Sequence, residues 1–334
     1  MSAVVVVDGH GGYVPLYRVR RDDVAAQFGG GASGESAVPA RDENHVTMAG
    51  EAAETALSRA GIEASDLGAV LSASVTDPLA EHGVAAHVAY RMGATGDVRT
   101  GDFRATRRAS TDALAAAEAY AAAGDPTLVV AVDVMPADPD DDGTAAAGAG
   151  AGAFVLRPEA DAPVATVEAT GRETTGFVEH HREHGAVAET GDARFERRRG
   201  VRPSAESAVE RALGDATDDP GRAVAAAPDR RMADAALDSV EVDRYTVRDA
   251  VGDAGAASFA LDLVAALESA DPGTEVLAVN YGAGGADAVR LTAGDAARTE
   301  DGSIEALLDA KEYVTYAKHL EYREPVDYQG VTSA

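Results

Sequence analysis

Hydrophobic positions along the chain fall into two kinds of pattern. Val4–Val7 is a continuous apolar run, which is typical of a buried strand, and the glycines in Gly9–Gly12 predict a turn after it. His45–Ala60 carries apolar residues three and four positions apart and is followed by Gly61, which predicts an amphipathic helix and its end. Strand-like and helix-like patterns then alternate, which predicts a parallel or mixed sheet layered with helices.

The order of these predicted elements occurs twice. The segments DPTLVVAV (from Asp125) and GAGAFVL (from Gly150) resemble PGTEVLAV (from Pro272) and GGADAVRL (from Gly284), as if one hairpin were used twice. We therefore predict two α/β halves related by a pseudo-twofold axis, each with a mainly parallel five-stranded sheet. The predicted divisions are residues 1–162 for the first half, 163–296 for the second half with a polar surface excursion at 174–200, and 297–334 for a last helix at Ile304–Tyr322 and a tail.

The composition combines a large apolar content with a strong negative charge. Apolar residues make up 46% of the 334 residues, so a large core is available. Asp and Glu number 57 against 29 Lys and Arg, and the formal net charge is −28, with Lys311 and Lys318 as the lysines. A dense carboxylate surface with almost no lysine indicates the cytoplasm of a halophile, where salt screens the repulsion. The same charge argues against nucleic acid as a partner, because phosphates require a basic surface.

Cysteine is absent from the sequence. This absence excludes disulfides, cysteine-ligated zinc and catalysis by a thiolate. The start of the chain lacks the regions of a signal peptide, and no apolar run approaches the ~20 residues of a membrane span. We therefore expect a soluble, cytoplasmic protein with no membrane contact.

Three glycine-rich stretches could suggest phosphate binding: GGGASG at Gly29, GAGAG at Gly148 and GAGG at Gly282. None has the spacing of a P-loop, and none opens a helix after a strand with an acidic residue about 20 positions further on. We interpret them as tight turns and sites of close strand packing.

The segment HHREH, from His180 to His184, matches H-x-x-E-H, a zinc pattern with a glutamate base. On a helix these two histidines would share a face. However, no third ligand is evident and the surroundings are polar, so we interpret the segment as solvated and expect no metal site. No G-x-S-x-G elbow exists to anchor a hydrolase triad.

The stretch FRATRRASTDALAAAEAY, Phe103–Tyr120, has the pattern of a loop that leads into an alanine-rich helix. Helix N-termini of this kind bind anions and activate nucleophiles. Here the loop and the first turn offer Arg107, Arg108, Ser110 and Thr111.

Together with other segments, this stretch resembles a known family. The segments that carry the resemblance, in chain order, are RDENHVTMAGEAAETALSRAGIEASDLGAVLSAS, YRMGATGDV, the Phe103 loop and helix, VGDAGAAS, VNYGAGGADAVRL and EYVTYAKHL. They are similar to the thiolase superfamily, and within it to the archaeal type of hydroxymethylglutaryl-CoA synthase, which is related to the ketoacyl synthase III enzymes. The resemblance covers nearly the whole chain and implies the thiolase-like α/β fold, with five layers in the order α/β/α/β/α.

The resemblance also implies where the family's catalytic residues would stand. The family has a nucleophilic cysteine at the start of the helix, and Arg107 occupies that position. A general-acid/base glutamate of the family corresponds to Val75, its histidine to Ala226 and its asparagine to Asp253. All four are replaced, and we expect Arg107 and Asp253 to form an ion pair across the former site.

These replacements imply a catalytically degenerate protein. The role expected is that of a non-catalytic subunit, a scaffold or an acyl-CoA-binding partner, with CoA or acyl-CoA as a ligand and no resident cofactor. The resemblance implies a homodimer, or a heterodimer with a thiolase-fold paralogue, and a complex with a thiolase and a small zinc-ribbon/OB-fold protein. The alternative is an acyl-CoA condensing or thioester-processing enzyme with a non-cysteine mechanism, in which Ser110 or Thr111 is the acyl acceptor.

Overall fold

The structure is a computed structural model that describes residues 4–79, 81–183, 186, 188–216, 219–299 and 302–323. Its strands are β1 (Val5–Tyr13), β2 (Tyr17–Arg20), β3 (Glu35–Val38), β4 (Ala69–Ser74), β5 (Arg99–Arg104), β6 (Thr127–Val134), β7 (Ala149–Arg157), β8 (Ala165–Thr174), β9 (His180–His181), β10 (Glu189–Thr190), β11 (Arg222–Ala226), β12 (Glu275–Gly282), β13 (Gly285–Ala293) and β14 (Glu312–Tyr313). Its α-helices are α1 (Arg21–Ala25), α2 (His45–Ala60), α3 (Val84–Met92), α4 (Ala109–Ala122), α5 (Ala193–Glu196), α6 (Arg202–Leu213), α7 (Arg230–Ala235), α8 (Arg248–Val251), α9 (Ala257–Glu268), α10 (Ile304–Asp309) and α11 (Tyr316–Arg323).

Within the described ranges, nine strands form one continuous sheet in the order β11-β12-β13-β8-β1-β7-β6-β4-β5. The prediction of two separate, mainly parallel sheets is wrong on both points. The pairs β4–β5, β4–β6 and β11–β12 are parallel, whereas the others are antiparallel. The halves are joined because β1 pairs with β8 in addition to β7, with Val5 opposite Val167.

The two halves nevertheless repeat one topology. In the first half β4 lies between the parallel strands β5 and β6, and the antiparallel strands β7 and β1 follow. In the second half β11 is parallel to β12, and the antiparallel strands β13 and β8 follow. Ala223 of β11 also forms a parallel bridge with Arg244, at the place that β5 has in the first half. This correspondence is the predicted pseudo-twofold repeat.

The sheet separates three hydrophobic clusters. Val129 of β6 and Val276 of β12 both face a central cluster that includes α4 and α9. Their neighbours Val130 and Leu277 face outward, the first toward α2 and α3 and the second toward α6 and α7. Because the inner faces of both halves share one cluster, the sheet folds around two central helices, and the layers have the order α/β/α/β/α.

The two central helices differ in burial. All twelve residues of α9 are buried, between β7 of the first half and β11 and β12 of the second. Helix α4 is less buried, since Ala119 is exposed and Asp112, Leu114 and Glu118 are half-buried. One side of α4 is therefore only partly covered by the rest of the described chain. None of the described helices is both long and apolar enough to cross a bilayer.

The glycines in Gly9–Gly12 do not form the predicted turn, because β1 continues through them to Tyr13. A Cβ atom at Gly9 would lie 2.1 Å from the Ala56 carbonyl oxygen, and one at Gly11 would lie 2.2 Å from that of Ala52. These glycines therefore allow α2 to pack directly against the backbone of the strand.

The single helix predicted at Ile304–Tyr322 is also wrong, since α10 and α11 are separated by β14. Strand β14 pairs with β2 in a small sheet with β3, which ties the C-terminal region to the first half. At the end of α11 the buried guanidinium of Arg323 donates to the carbonyls of Ala37, Met135, Ala147 and Gly148.

Candidate functional site

The loop that precedes α4 lies at the bottom of a cleft of ≈ 440 Å³ between the two halves. Ala105 in this loop has φ +72°, a left-handed conformation that is uncommon for a residue with a side chain. The C-terminal end of β12 holds the loop, because the Asn280 amide donates to the Arg107 carbonyl at 2.9 Å. A Cβ atom at Gly282 would lie 2.9 Å from the Thr106 hydroxyl oxygen, so this contact requires a glycine.

The expected ion pair between Arg107 and Asp253 is present. The Arg107 Nη1 and Nη2 atoms lie 2.5 and 2.6 Å from the two carboxylate oxygens of Asp253, which is a bidentate geometry. The two side chains are 6% and 11% exposed. Burial alone would raise the pKa of Asp253, but the charges of Arg107 and Arg248 hold this pKa at about 2. The pair is therefore ionised at neutral pH.

A second ion pair lies beside the first and was not predicted from the sequence. Arg108 Nε and Nη2 each lie 2.9 Å from a carboxylate oxygen of Asp287 on β13. The Thr111 hydroxyl and the Arg172 guanidinium also donate to Asp287, at 2.7 and 2.8 Å. Arg107 and Arg108 thus connect the start of α4 to two segments of the second half.

Val75, which the family resemblance assigned to the position of the glutamate, lines the same cleft as Arg107. It follows β4, and its backbone N–H donates to Asp133, a carboxylate with no exposed surface. Asp133 also accepts bonds from the Ser74 hydroxyl and from the Ala256 backbone N–H at the start of α9. A valine here presents an apolar surface to the cleft and has no proton to transfer.

Ala226, which the family resemblance assigned to the position of the histidine, is not among the residues that line this cleft. It ends β11 and faces a neighbouring cavity of ≈ 150 Å³, whereas Pro228 of the same turn lines the cleft. The neighbouring cavity also contains Asp262, whose pKa burial raises to about 7 despite bonds from the backbone N–H of Val247 and the hydroxyl of Thr246.

The two alternative nucleophiles, Ser110 and Thr111, are both buried and lie outside the set of residues that line the cleft. The Ser110 hydroxyl donates to the Ala256 carbonyl at 2.5 Å. The Thr111 hydroxyl donates to Asp287 and to the Arg108 carbonyl. The Ser110 hydroxyl has a backbone carbonyl as its partner, and the Asp287 carboxylate beside the Thr111 hydroxyl is already bound by Arg108 and Arg172. Both hydroxyls lie away from the cleft, so this geometry does not favour them as acyl acceptors.

The segment that contains HHREH covers the cleft. We had placed it as a solvated excursion, but His180, His181 and Arg182 all line the cleft, and Arg182 donates to the Val75 carbonyl. The zinc pattern would require a helix, whereas His180–His181 is a strand paired with Glu189–Thr190. His184 lies outside the described residues. Among those residues, no three His, Cys, Asp or Glu side chains are grouped so that they could hold a metal ion.

His180 has an unusual environment in the cleft. Its Nδ1 atom is buried and has no hydrogen-bond partner in the described part of the chain. Burial, and secondly the positive charge of Arg107, lower the pKa of His180 to about 4. The imidazole is therefore neutral at pH 7 and can accept a proton or a hydrogen bond from a bound molecule.

The pKa of His180 leads to a prediction on acid stability. In the unfolded chain the imidazole takes up a proton near pH 6.5, whereas in the folded chain it does so only near pH 4. Between these values the unfolded state binds more protons, so stability falls as the pH is lowered. We expect His180→Gln to reduce this loss by roughly 1–3 kcal/mol, measured by urea unfolding at pH 7 and pH 4. The exposed His87→Gln is the control, and an equal loss in both variants would contradict the assignment.

Chemically, the cleft is suited to bind an anion or a carbonyl oxygen. Its charged lining consists of Arg104, Arg107, Arg182 and one carboxylate, Asp77, which is paired with Arg104 at 2.7 Å. Arg182 is half-buried, and within the described ranges its guanidinium donates to the carbonyl oxygens of Val75 and Ala186. A cationic cleft in a chain of net charge −28 concentrates anions locally.

Comparisons with known proteins place this geometry in context. No protein-family model matches the chain. A hydroxymethylglutaryl-CoA synthase of Methanopyrus kandleri is 29% identical over an alignment 350 residues long. The alignment covers 98% of this chain and 99% of the relative. Among solved structures, MvaS in complex with 3-hydroxy-3-methylglutaryl coenzyme A has a TM-score of 0.79 at 21% identity, covering 97% of this chain and 93% of that one.

The fold is also that of the ketoacyl synthase III enzymes. The 3-oxoacyl-(acyl carrier protein) synthase III of Pseudomonas aeruginosa PAO1 has a TM-score of 0.76 at 24% identity, covering 87% of this chain and 98% of that one. The chain is thus a homologue of the archaeal hydroxymethylglutaryl-CoA synthases, and it has their thiolase-like α/β fold.

Proposed function

We propose that this chain is a catalytically degenerate hydroxymethylglutaryl-CoA synthase-like protein, and that it acts as a non-catalytic subunit, scaffold or acyl-CoA-binding partner. The observation that carries the proposal is the buried pair of Arg107 with Asp253. Arg107 stands where the family has its nucleophilic cysteine, and the chain has no cysteine to replace it.

The chemistry of condensation supports the same conclusion. An acyl-enzyme intermediate requires a nucleophile with an available electron pair, and a guanidinium stays protonated at any physiological pH. A cation at the N-terminal end of α4 is also opposed by the helix dipole, so Arg107 needs the carboxylate of Asp253. The two side chains stabilise each other and are held in place by Asn280 and Gly255, whose groups bond the Arg107 carbonyl and Nη1. This arrangement supports a structural role for the two side chains.

CoA or acyl-CoA is the ligand that we propose for the cleft. The cleft is retained at ≈ 440 Å³ although the nucleophile is absent, and its lining includes Arg104 and Arg182, which are suited to an anionic ligand. The related MvaS structure contains 3-hydroxy-3-methylglutaryl coenzyme A, which supports a ligand of this class.

A partner of the thiolase fold is supported by the edge of the sheet. Strand β5 has β4 as its sole hydrogen-bonded neighbour in the described part of the chain, and the adjacent side of α4 is only half-buried. An uncovered edge beside a partly apolar helix is suited to pair with a second subunit. We propose a homodimer or a heterodimer with a thiolase-fold paralogue, within a complex that also contains a thiolase and a zinc-ribbon/OB-fold protein.

The activity test is direct. We expect the purified chain, mixed with acetyl-CoA and acetoacetyl-CoA in low and in molar salt, to form no hydroxymethylglutaryl-CoA detectable by chromatography. Arg107→Cys should also form none, because Val75 and Ala226 cannot supply the acid/base and oxyanion functions. The Methanopyrus kandleri homologue, assayed alongside, is the positive control for the substrates. Turnover by the wild-type chain would overturn the proposal, whereas calorimetric binding of CoA without turnover would support it.

The alternative, a thioester-processing enzyme with a non-cysteine mechanism, is favoured by one observation. His180 is neutral, lines the cleft and has an unpartnered Nδ1, so it could act as a base toward a water molecule. Hydrolysis of acetoacetyl-CoA that is lost in His180→Gln would favour this alternative over the non-catalytic role.

A further inference from the structure

Five arginines on one side of the second half have no partner in the described part of the chain. They belong to α5, to the π-helical turn Arg197–Val201 that follows it, and to α7. None of their guanidinium groups has an ion pair or hydrogen bond with a described residue, unlike exposed arginines elsewhere such as Arg99 and Arg298. We call these five residues the arginine patch: Arg194, Arg197, Arg198, Arg199 and Arg231.

The arginine patch surrounds an open depression of ≈ 360 Å³. Four of its members line this depression, together with the neighbouring Arg202 and the carboxylates of Asp234 and Asp238. Arg202 is paired with Asp238 at 2.7 Å, so the unpaired charge belongs to the patch itself. None of these residues lines the cleft at Arg107, so the depression is a separate surface.

The patch is unexpected in a chain with 57 acidic and 29 basic residues. Dispersed arginines in such a chain find carboxylates easily, and most of the described ones do. Clustering unpaired cations costs repulsion among them unless an anion from another molecule lies between them. The cluster therefore indicates a surface that is complemented by a bound partner.

An exposed aromatic side chain, Phe195, directly follows Arg194 of the patch in the chain. The Phe195 side chain is 49% exposed, and its ring contacts that of Phe177. Val178, which follows Phe177 in the chain, is 56% exposed. Arginine and aromatic residues are the types enriched at the centres of protein–protein interfaces. A phosphate group would use the guanidinium groups but would gain nothing from an exposed phenyl ring.

We propose that the arginine patch and Phe195 form a docking surface for an acidic segment of another protein. Carboxylates of the partner would pair with the guanidinium groups, and an apolar side chain of the same segment would cover Phe195. A second copy of this chain is a poorer occupant, because the edge at β5 and α4 that we propose for pairing with a subunit lies in the first half, away from the patch on α5 and α7. This inference stands independently of whether the cleft is catalytic.

The test uses a short fluorescent peptide of Glu, Asp and Leu as the probe, with the full-length chain and anisotropy as the readout. We expect the peptide to bind, and we expect Arg197→Gln/Arg198→Gln to weaken binding by at least ~10-fold. Phe195→Ala should weaken it as well, and binding should decrease as salt is raised. The matched control is Arg99→Gln/Arg298→Gln, which removes the same charge from exposed arginines that already have partners. Unchanged thermal unfolding of all variants excludes loss of folding as the cause.

Other outcomes would overturn the proposal. Equal weakening in the control variant would show that only net charge matters. Binding of inorganic polyphosphate that exceeds peptide binding and is unaffected by Phe195→Ala would make the patch a phosphate site. Self-association in sedimentation that is lost in Arg197→Gln/Arg198→Gln would make a second copy the occupant. Absence of peptide binding at low salt would leave the patch without the function proposed.

Discussion

Arg107→Ala is expected to lower the free energy of unfolding by about 3–5 kcal/mol, because it leaves the Asp253 carboxylate buried without its partner. Asp253 is 11% exposed and loses both bidentate bonds, at 2.5 and 2.6 Å. Arg248, whose Nη2 lies 3.9 Å from the carboxylate, compensates only in part. The measurement is urea unfolding at neutral pH.

The control for this prediction is a double-mutant cycle. Arg107→Ala/Asp253→Ala should be less destabilised than the sum of the single variants, because no charge is then left unpaired. Arg230→Ala, which removes an ion pair to Asp249 between side chains that are 64% and 55% exposed, should change stability by less than ~1 kcal/mol. If Arg107→Ala behaves like Arg230→Ala, the pair is not the structural element that we infer.

Asp133→Ala is expected to have the larger effect. The carboxylate has no exposed surface and accepts bonds from the hydroxyls of Ser74 and Thr76 and from the backbone N–H groups of Val75, Thr76 and Ala256. Each buried donor left without an acceptor costs ~1–3 kcal/mol, so the total reaches the ~5–15 kcal/mol that stabilises a typical domain. We expect little folded protein by circular dichroism.

The matched control is Asp271→Ala. This carboxylate is 79% exposed and pairs with Arg298 at 2.8 Å, so its loss should change the free energy of unfolding by less than ~1 kcal/mol. A soluble Asp133→Ala variant with a normal unfolding transition would mean that water satisfies the donors at the ends of β4 and α9.

Much of the fold could be predicted from periodicity. Helix α2 was predicted at its observed limits, His45–Ala60, because its apolar spacing and its final Gly61 are local signals. The joining of the two sheets could not be predicted, because it depends on which strand lies beside β1. The turn predicted at Gly9–Gly12 is wrong for a related reason. Gly9 and Gly11 allow close packing against α2, and a contact between segments distant in sequence cannot be recognised from the local pattern of residues.

The candidate site divides in the same way. The ion pair between Arg107 and Asp253 could be anticipated, because the family resemblance brings both positions to one place. Opposite charges that are buried close together are expected to pair. The pair of Arg108 with Asp287 could not, since nothing in the sequence around β13 distinguishes Asp287 from other acidic residues. The position of His180 was missed because its segment was assigned by polarity, which does not report whether a polar strand covers a cleft.

The complete burial of α9 has a consequence for how the protein is made. The helix is enclosed by β7, from the first half, and by β11 and β12, from the second. The strands up to residue 157 therefore leave the ribosome before the helix that packs against them exists. Their packing against α9 can form only when residues 257–268 have been synthesised. The completed first half must remain without its final packing until α9 has been synthesised, so the two halves are expected to reach the native state in a single cooperative step.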